Sequence, residues 1–225
     1  MGNMLYLCSM CNLNLLLIMM EKTFKKVHYP EYEGKYDESI RMRMEMDPES
    51  IDVETMRECL YGFTFTKEYA EGEILDELSM DYWRDRRIKR NLLAEAESIS
   101  DDEDEDFDLE DEDEDFDLDA LIGGLDGDKE DAVEDRYERV SPQERLLLET
   151  IDSTGDGLSA KTALCVIAVK QEYEYLERVV KYSSMRVRKQ RLADGIDCLT
   201  LTDDEGETVD VYFDVSRCFE VEGFY

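Results

Sequence analysis

Asp197–Val215, DCLTLTDDEGETVDVYFDV, decides the fold class. Apolar and polar residues alternate over Asp197–Thr202 and again over Thr208–Val215, and Asp203-Asp204-Glu205-Gly206 lies between them. Two alternating runs around a glycine-containing turn predict a β-hairpin with one buried face. Just upstream, Met185–Leu192 (MRVRKQRL) alternates about Val187 and predicts another strand. Its cations Arg186, Arg188, Lys189 and Arg191 are expected to pair with the chain's own carboxylates. An anionic ligand, or the chain's own acidic tract folded back, are the other two readings. Working further outward, Gln171–Lys181 reads as a helix with Tyr173, Leu176 and Val180 inward. Ala163–Val169 (ALCVIAV) is read as a buried strand, with a helix from a Ser159 cap left open because periodicity does not separate the two. Ser141-Pro142-Gln143-Glu144 is a capping box with proline at the first helical position. It opens a helix carrying Leu147, Leu148 and Ile151 that stops at Gly155-Asp156-Gly157.

Before that helix the composition changes abruptly. From Asp101 to Asp119 only Phe107, Leu109, Phe116 and Leu118 are not acidic, and DEDEDFDL at Asp102–Leu109 recurs at Asp111–Leu118. Residues 96–138 hold 23 acids and 2 bases, so they carry −21 of the net charge of −33. A block of like charge repels itself and has little to bury against its ordering entropy. It is therefore expected to be a disordered insert, loosened at its end by Gly123, Gly124 and Gly127.

On the other side of the insert, Asp52 is the expected N-cap of a helix over Val53–Tyr61, with Met56 and Leu60 on one face and Gly62 as its stop. Phe63-Thr64-Phe65-Thr66 reads as a short strand or extended link. One long helix is expected over 67–96, with Ile74, Leu75, Leu78, Tyr82 and Trp83 as its apolar stripe. Its second half carries Arg84, Arg86, Arg87, Lys89 and Arg90. Met4–Met20 is the only membrane candidate in the sequence. As a helix it is about 25 Å long against a ~30 Å bilayer core. No Lys or Arg precedes it, so the basic start of a signal peptide is missing. A translation start at Met19 or Met20, an anchor and an atypical signal all stay open. The expected compartment is the cytoplasm, with membrane-anchored or exported as the alternative.

These elements predict an α+β domain: an antiparallel sheet with helices packed on one face, interrupted by the disordered acidic insert. Residues 1–26 form an apolar extension, 27–95 the first half of the domain, 96–138 the insert, and 139–225 the second half of the same domain. With 59 acids against 26 bases in 225 residues, non-specific binding to nucleic acid is excluded as the chain's main business. The lone histidine, His28, excludes a His-built zinc site. Of the six cysteines, Cys165, Cys198 and Cys218 lie in apolar stretches and read as buried thiols. Cys8 and Cys11 have redox spacing but sit in an apolar run rather than a strand-to-helix turn.

The two flanks, with the acidic tract skipped, resemble domain-of-unknown-function family 4919, a bacterial family found mainly in Bacteroides-type gut anaerobes. The likeness is carried first by Tyr29-Pro30, Ile51–Phe65 with Leu60-Tyr61-Gly62-Phe63 at its heart, and Tyr69. It continues with Gly155-Asp156-Gly157, Ser159, Thr162-Ala163, Val166-Ile167, Glu172-Tyr173, Asp197 and Tyr212–Ser216. The resemblance implies that both flanks form one domain. It implies no reaction, ligand or cofactor. From what the resemblance implies of relatives, the chain departs in the insert and in lacking a typical export signal.

Asp152-Ser-Thr-Gly-Asp-Gly157 begins like a calcium loop, but its twelfth position is Ala163 where a bidentate Glu is needed. No metal site and no cofactor are expected. His28 with Cys59 would make a nucleophile pair, but nothing in the sequence fixes them together. Glu172, Asp197 and Asp214 are the candidate acid–base residues. The expected function is non-enzymatic: the acidic arm binds a basic protein or peptide, with Phe107, Leu109, Phe116 and Leu118 as apolar anchors. Glu172, Tyr173, Tyr212 and Asp214 are the candidate binding residues of the folded part. The alternative is a small hydrolase or ligand-binding domain with a pocket near the Gly155–Gly157 turn and the Tyr212–Asp214 strand. Membrane association is expected only through residues 4–20.

Overall fold

Side-chain oxygens placed to accept a helix's first orphan amides set the helix starts. The structure, a computed structural model, describes residues 24–100, 136–137 and 139–222. The readings made for residues 4–20, Cys8, Cys11 and the apolar anchors Phe107, Leu109, Phe116 and Leu118 fall outside the described residues, as does nearly all of the insert. Asp37 accepts from Ser39 N at 2.8 Å and opens α1 (Glu38–Met46). Asp52 accepts from Thr55 N at 2.8 Å and opens α2 (Val53–Phe63). Thr66 caps the short α3 (Lys67–Ala70). The long α4 spans Met80–Ser100. The Ser141 capping box is present in full at α5 (Pro142–Asp152). Then follow β1 (Leu164–Cys165), α6 (Val169–Arg178), α7 (Val180–Ser183), β2 (Arg186–Ala193), β3 (Ile196–Thr202), β4 (Thr208–Asp214) and α8 (Ser216–Glu222).

The hairpin forms as expected, Cys198 facing Tyr212 and Leu199 facing Val211. The sheet order is β1-β4-β3-β2. It is antiparallel from β2 through β4, and β1 joins β4 in parallel. Asp197, Leu199, Leu201, Val209, Val211 and Phe213 share one face, which the helices cover; the Tyr175 ring meets Phe213 edge-on at 5.8 Å.

Four expectations are corrected. The helix read over 67–96 is broken, because Gly72 takes φ +83° and the chain re-enters helix only at Met80, after a turn of 3-10 helix at Asp76–Leu78. Gly62 does not stop α2 but lies within it. A Cβ there would sit 2.6 Å from the Tyr36 backbone nitrogen, so the glycine serves close approach. Phe63 ends that helix and Thr66 caps the next, so Phe63–Thr66 is a turn rather than a strand. Residues 163–169 contain a two-residue strand, and helix α6 begins at Val169.

In α6 the inward face differs from the expected one. Leu176 is buried, but Tyr173 and Val180 are 39% and 44% exposed. Gln171, Glu172, Glu174 and Arg178 are buried instead. Most of these polar groups are satisfied, which makes their burial tolerable. Gln171 accepts from Ile167 N and donates to Leu78 O. Glu174 accepts from Ser79 Oγ and Met80 N. Arg178 donates to Asp81 at 2.7 Å and to the buried Glu144 at 3.0 Å.

The bonds to Leu78, Ser79, Met80 and Asp81 run between the two flanks of the insert. One core cluster contains Met56, Leu60, Tyr61, Phe63 and Trp83 from the first flank and Leu147, Ile151, Tyr175, Val211 and Phe213 from the second. The body also takes in the insert's rim: α4 runs to Ser100, and the buried Tyr137 bridges to Val179.

Candidate functional site

The residues that carry the sequence motifs meet around β1 and the segment after it. Tyr61, wholly buried on α2, donates to Cys165 O at 3.0 Å. Tyr69 on α3 donates to Ile167 O at 2.7 Å. The Tyr29 hydroxyl lies 3.1 Å from Cys165 Sγ. Tyr61 also receives Tyr29 and Tyr32 edge-on, at 6.1 and 5.4 Å between ring centroids. From the C-terminal side, Arg217 on α8 reaches Thr64 O at 2.9 Å. Burial pushes the Tyr29 and Tyr61 hydroxyls well above the ordinary tyrosine range, so both stay protonated. Burial also raises the Cys165 thiol and pushes Cys59 up to about 12. Neither is an activated nucleophile.

The motif pieces from both flanks therefore close on one another, as a single family domain requires. The chain belongs to the DUF4919 family. The family model, described as a domain of unknown function, matches residues 25–223, across the insert and both flanks. No curated protein and no solved structure matches the chain.

Within this DUF4919 domain the candidate acid–base residues do not gather as one set. Glu172 on α6 and Asp197 on β3 lie close enough for their charges to couple, and both are buried. Among the described residues neither oxygen of Glu172 has a hydrogen-bond partner, nor does Asp197 Oδ1, while Asp197 Oδ2 accepts from Gln190 Nε2 of β2. Burial, with the Asp197 carboxylate adding like charge, pushes Glu172 up to about 8. Tyr173, next along α6, feels the same two causes plus the Glu172 charge, and its hydroxyl is raised. A carboxyl kept protonated near neutral pH beside a second carboxyl is a known acid–base arrangement.

Asp214 is elsewhere. Phe213 faces Asp197 across the β3–β4 ladder, so Asp214 and Ile196 point to the opposite face. Asp214 Oδ1 accepts from Ser216 N at 3.1 Å and Ser216 Oγ at 2.6 Å, which starts α8. Tyr212 lies on that open face too, across from Cys198 and beside the Arg191–Asp210 pair at 3.0 Å. Arg191 thus pairs with the chain's own carboxylate, as expected. The Gly155–Gly157 turn does lie against β4, for Tyr212 N donates to Gly157 O at 2.9 Å. The contact is filled: a Cβ at Gly155 would fall 2.2 Å from Thr162 O, and one at Gly157 would fall 2.9 Å from Leu164 Cδ1. A cleft of about 470 Å³ beside the turn is lined by Asp156, Leu158, Arg136 and Val179–Tyr182, without Glu172, Tyr212 or Asp214.

His28 is exposed near Glu31, and Cys59 is buried against Asp37 O, so the two do not form a nucleophile pair. Cys59, Cys165, Cys198 and Cys218 are buried, as read for the last three. Among the described residues no cluster of three or more His, Cys, Asp or Glu is placed to hold a metal. No described helix is long and apolar enough to cross a membrane. The sequence reading missed the tyrosine bonds onto 165–167, the buried Arg57, which donates to Lys25 O, Tyr32 Oη and Ser153 Oγ, and the carboxyl pair's true partner. The hairpin register, once numbered, puts Asp197 on the core face and Asp214 on the other. That signal was available.

Proposed function

We propose that this family member is a non-enzymatic interaction protein whose acidic arm captures a basic protein or peptide. The carrying observation is the distribution of charge against the fold. Residues 96–138 hold −21 of the chain's −33, and the chain on either side of them enters one shared core. The arm is thus tethered at both ends to a single body, which lowers the entropy of presenting it. Its charge speeds encounter with a cationic surface, and the interleaved Phe107, Leu109, Phe116 and Leu118 hold register. The buried, protonated tyrosines and the buried carboxyl pair support a structural role for the folded part. The hydrolase reading asks for Glu172 and Asp214 in one cleft, and they face opposite sides of the sheet.

Two variants test this, with a labelled peptide of alternating lysine and leucine as the probe, followed by fluorescence anisotropy. Deleting residues 99–120 is expected to weaken capture at least tenfold. Changing the four anchors to serine, with charge unchanged, is expected to weaken it about threefold to tenfold and leave the salt slope intact. Undiminished binding by the deletion variant would refute the reading. Undiminished binding by the serine variant would reduce the arm to a charged spacer.

A further inference from the structure

A second charged surface lies where the arm joins the body. A cleft of about 500 Å³ runs between α4 and the first turn of α5. Arg86, Arg87, Lys89 and Arg90 line it, with the single carboxylate of Glu45. In a chain of net charge −33 such a cationic concentration is out of character. Arg86 is fixed: it donates to Glu45 at 2.7 Å and to Tyr82 Oη at 2.9 Å, and its guanidinium lies over the Tyr82 and Trp83 rings at 5.5 and 5.7 Å. Arg87 is 3.5 Å from the buried Glu144. Lys89 and Arg90 are exposed and have no ionic partner among the described residues.

We propose that this cleft is the docking site of the chain's own acidic repeats, Asp102–Leu118, so that the arm rests on its own body until a basic partner displaces it. The chain's course is the first reason. Helix α4 passes along the cleft and runs on to Ser100, the chain returns at Arg136, and Ser141 and Gln143 form the opposite lip. The excursion therefore starts from the helix that forms one wall of the cleft, and intramolecular docking enjoys an effective concentration on the order of millimolar. Charge complementarity is the second reason: Lys89 and Arg90, without an ionic partner among the described residues, match in sign a segment in which every residue but four is acidic. Apolar content is the third. Leu93, 57% exposed on the cleft wall, suits the Phe and Leu that punctuate the repeats. The regulatory role rests on the proposed capture function, but the contact itself does not.

Small-angle scattering of the full chain and of the double variant Lys89→Glu/Arg90→Glu, each in 20 mM and 500 mM salt as experimental conditions, tests the contact. Both positions are exposed, and an unchanged Tm would certify the variant's fold. Released from the cleft, an acidic arm contracts with salt as its self-repulsion is screened. The radius of the variant should therefore fall with salt, and that of the parent chain should rise as docking is screened away. A parent radius that falls in step with the variant's would overturn the proposal. So would a rise abolished only by Arg186→Glu/Lys189→Glu, which would place the arm on β2, or a mass that doubles with concentration, which would place it on a second copy. In the lysine–leucine peptide assay the Lys89→Glu/Arg90→Glu variant should bind about three- to tenfold more tightly, because self-competition is gone. Salt-dependent release with no peptide binding would sink the capture function and leave the cleft contact standing. Peptide binding equal in parent and variant would sink the competition.

Discussion

Replacing Glu172 with glutamine is expected to stabilise the protein above pH 8 and to change little at pH 5. Glu172 is fully buried and, among the described residues, has no donor on either oxygen. Burial first, and the Asp197 charge second, raise it from 4.5 to about 8 in the fold. In the unfolded chain the same group ionises near 4.5. Between these values the folded state binds the extra proton, so stability falls as pH climbs through the window and levels off above about 8. Each unit of difference corresponds to about 1.4 kcal/mol, so the full cost is several kcal/mol. Glutamine keeps the shape of the protonated side chain and has nothing to ionise. Thermal melts of parent and Glu172→Gln from pH 5 to pH 9 should diverge progressively, with the variant higher by several degrees at the alkaline end. Asp197→Asn should narrow the window from its upper side, since it removes the smaller of the two causes. A Tm difference that does not vary with pH would contradict this placement of the carboxyl pair.

Arg57→Ala is expected to cost about 3–5 kcal/mol, the range for stripping one partner from a buried charged network. The side chain is 1% exposed. Its guanidinium donates to Lys25 O at 2.7 Å, to Tyr32 Oη at 3.0 Å and to Ser153 Oγ at 2.6 Å, and stacks over the Tyr61 ring at 5.7 Å. Alanine leaves a cavity the size of an arginine and three acceptors without donors. The Lys25 and Tyr32 contacts lie in the first flank and Ser153 ends α5 in the second, so the loss is felt on both sides of the insert. For a body of this size the Tm should drop by about 10 °C, measured by circular dichroism at pH 7. Arg57→Lys should recover only part of it, because an ammonium cannot reproduce the planar fork. A drop within two degrees would show that the hub bears little.

The parts of the fold that were legible in the sequence are those set by local chemistry. The Asp52 cap, the Ser141 capping box and the alternation across Asp203–Gly206 each need only neighbouring residues, and each formed. What escaped depends on distant partners. The buried face of α6 could not be found by apolar spacing, because Gln171, Glu174 and Arg178 are inside only by virtue of Leu78, Ser79, Asp81 and Glu144. The break at Gly72 is favoured once Leu78 and Trp83 have places in a shared core that one straight helix over 67–96 does not supply. In the site, Glu172 and Asp197 were both legible as acids. Their pairing, and the exclusion of Asp214, required the register of β3 against β4. Tyr61 reads as a core aromatic in any local pattern, and its bond to Cys165 O crosses more than a hundred residues.

Unfolding in urea, followed at two places at once, tests most directly whether the flanks form one cooperative body. The only tryptophan, Trp83, reports on the first flank by fluorescence. Amide hydrogen exchange across β3 and β4 reports on the second. The shared core, the Arg178–Asp81–Glu144 network and the tyrosine bonds onto 165–167 predict coincident midpoints and a single transition. Two separated midpoints, with the β3–β4 amides still protected after Trp83 has become exposed, would show that the acidic insert divides two independent domains.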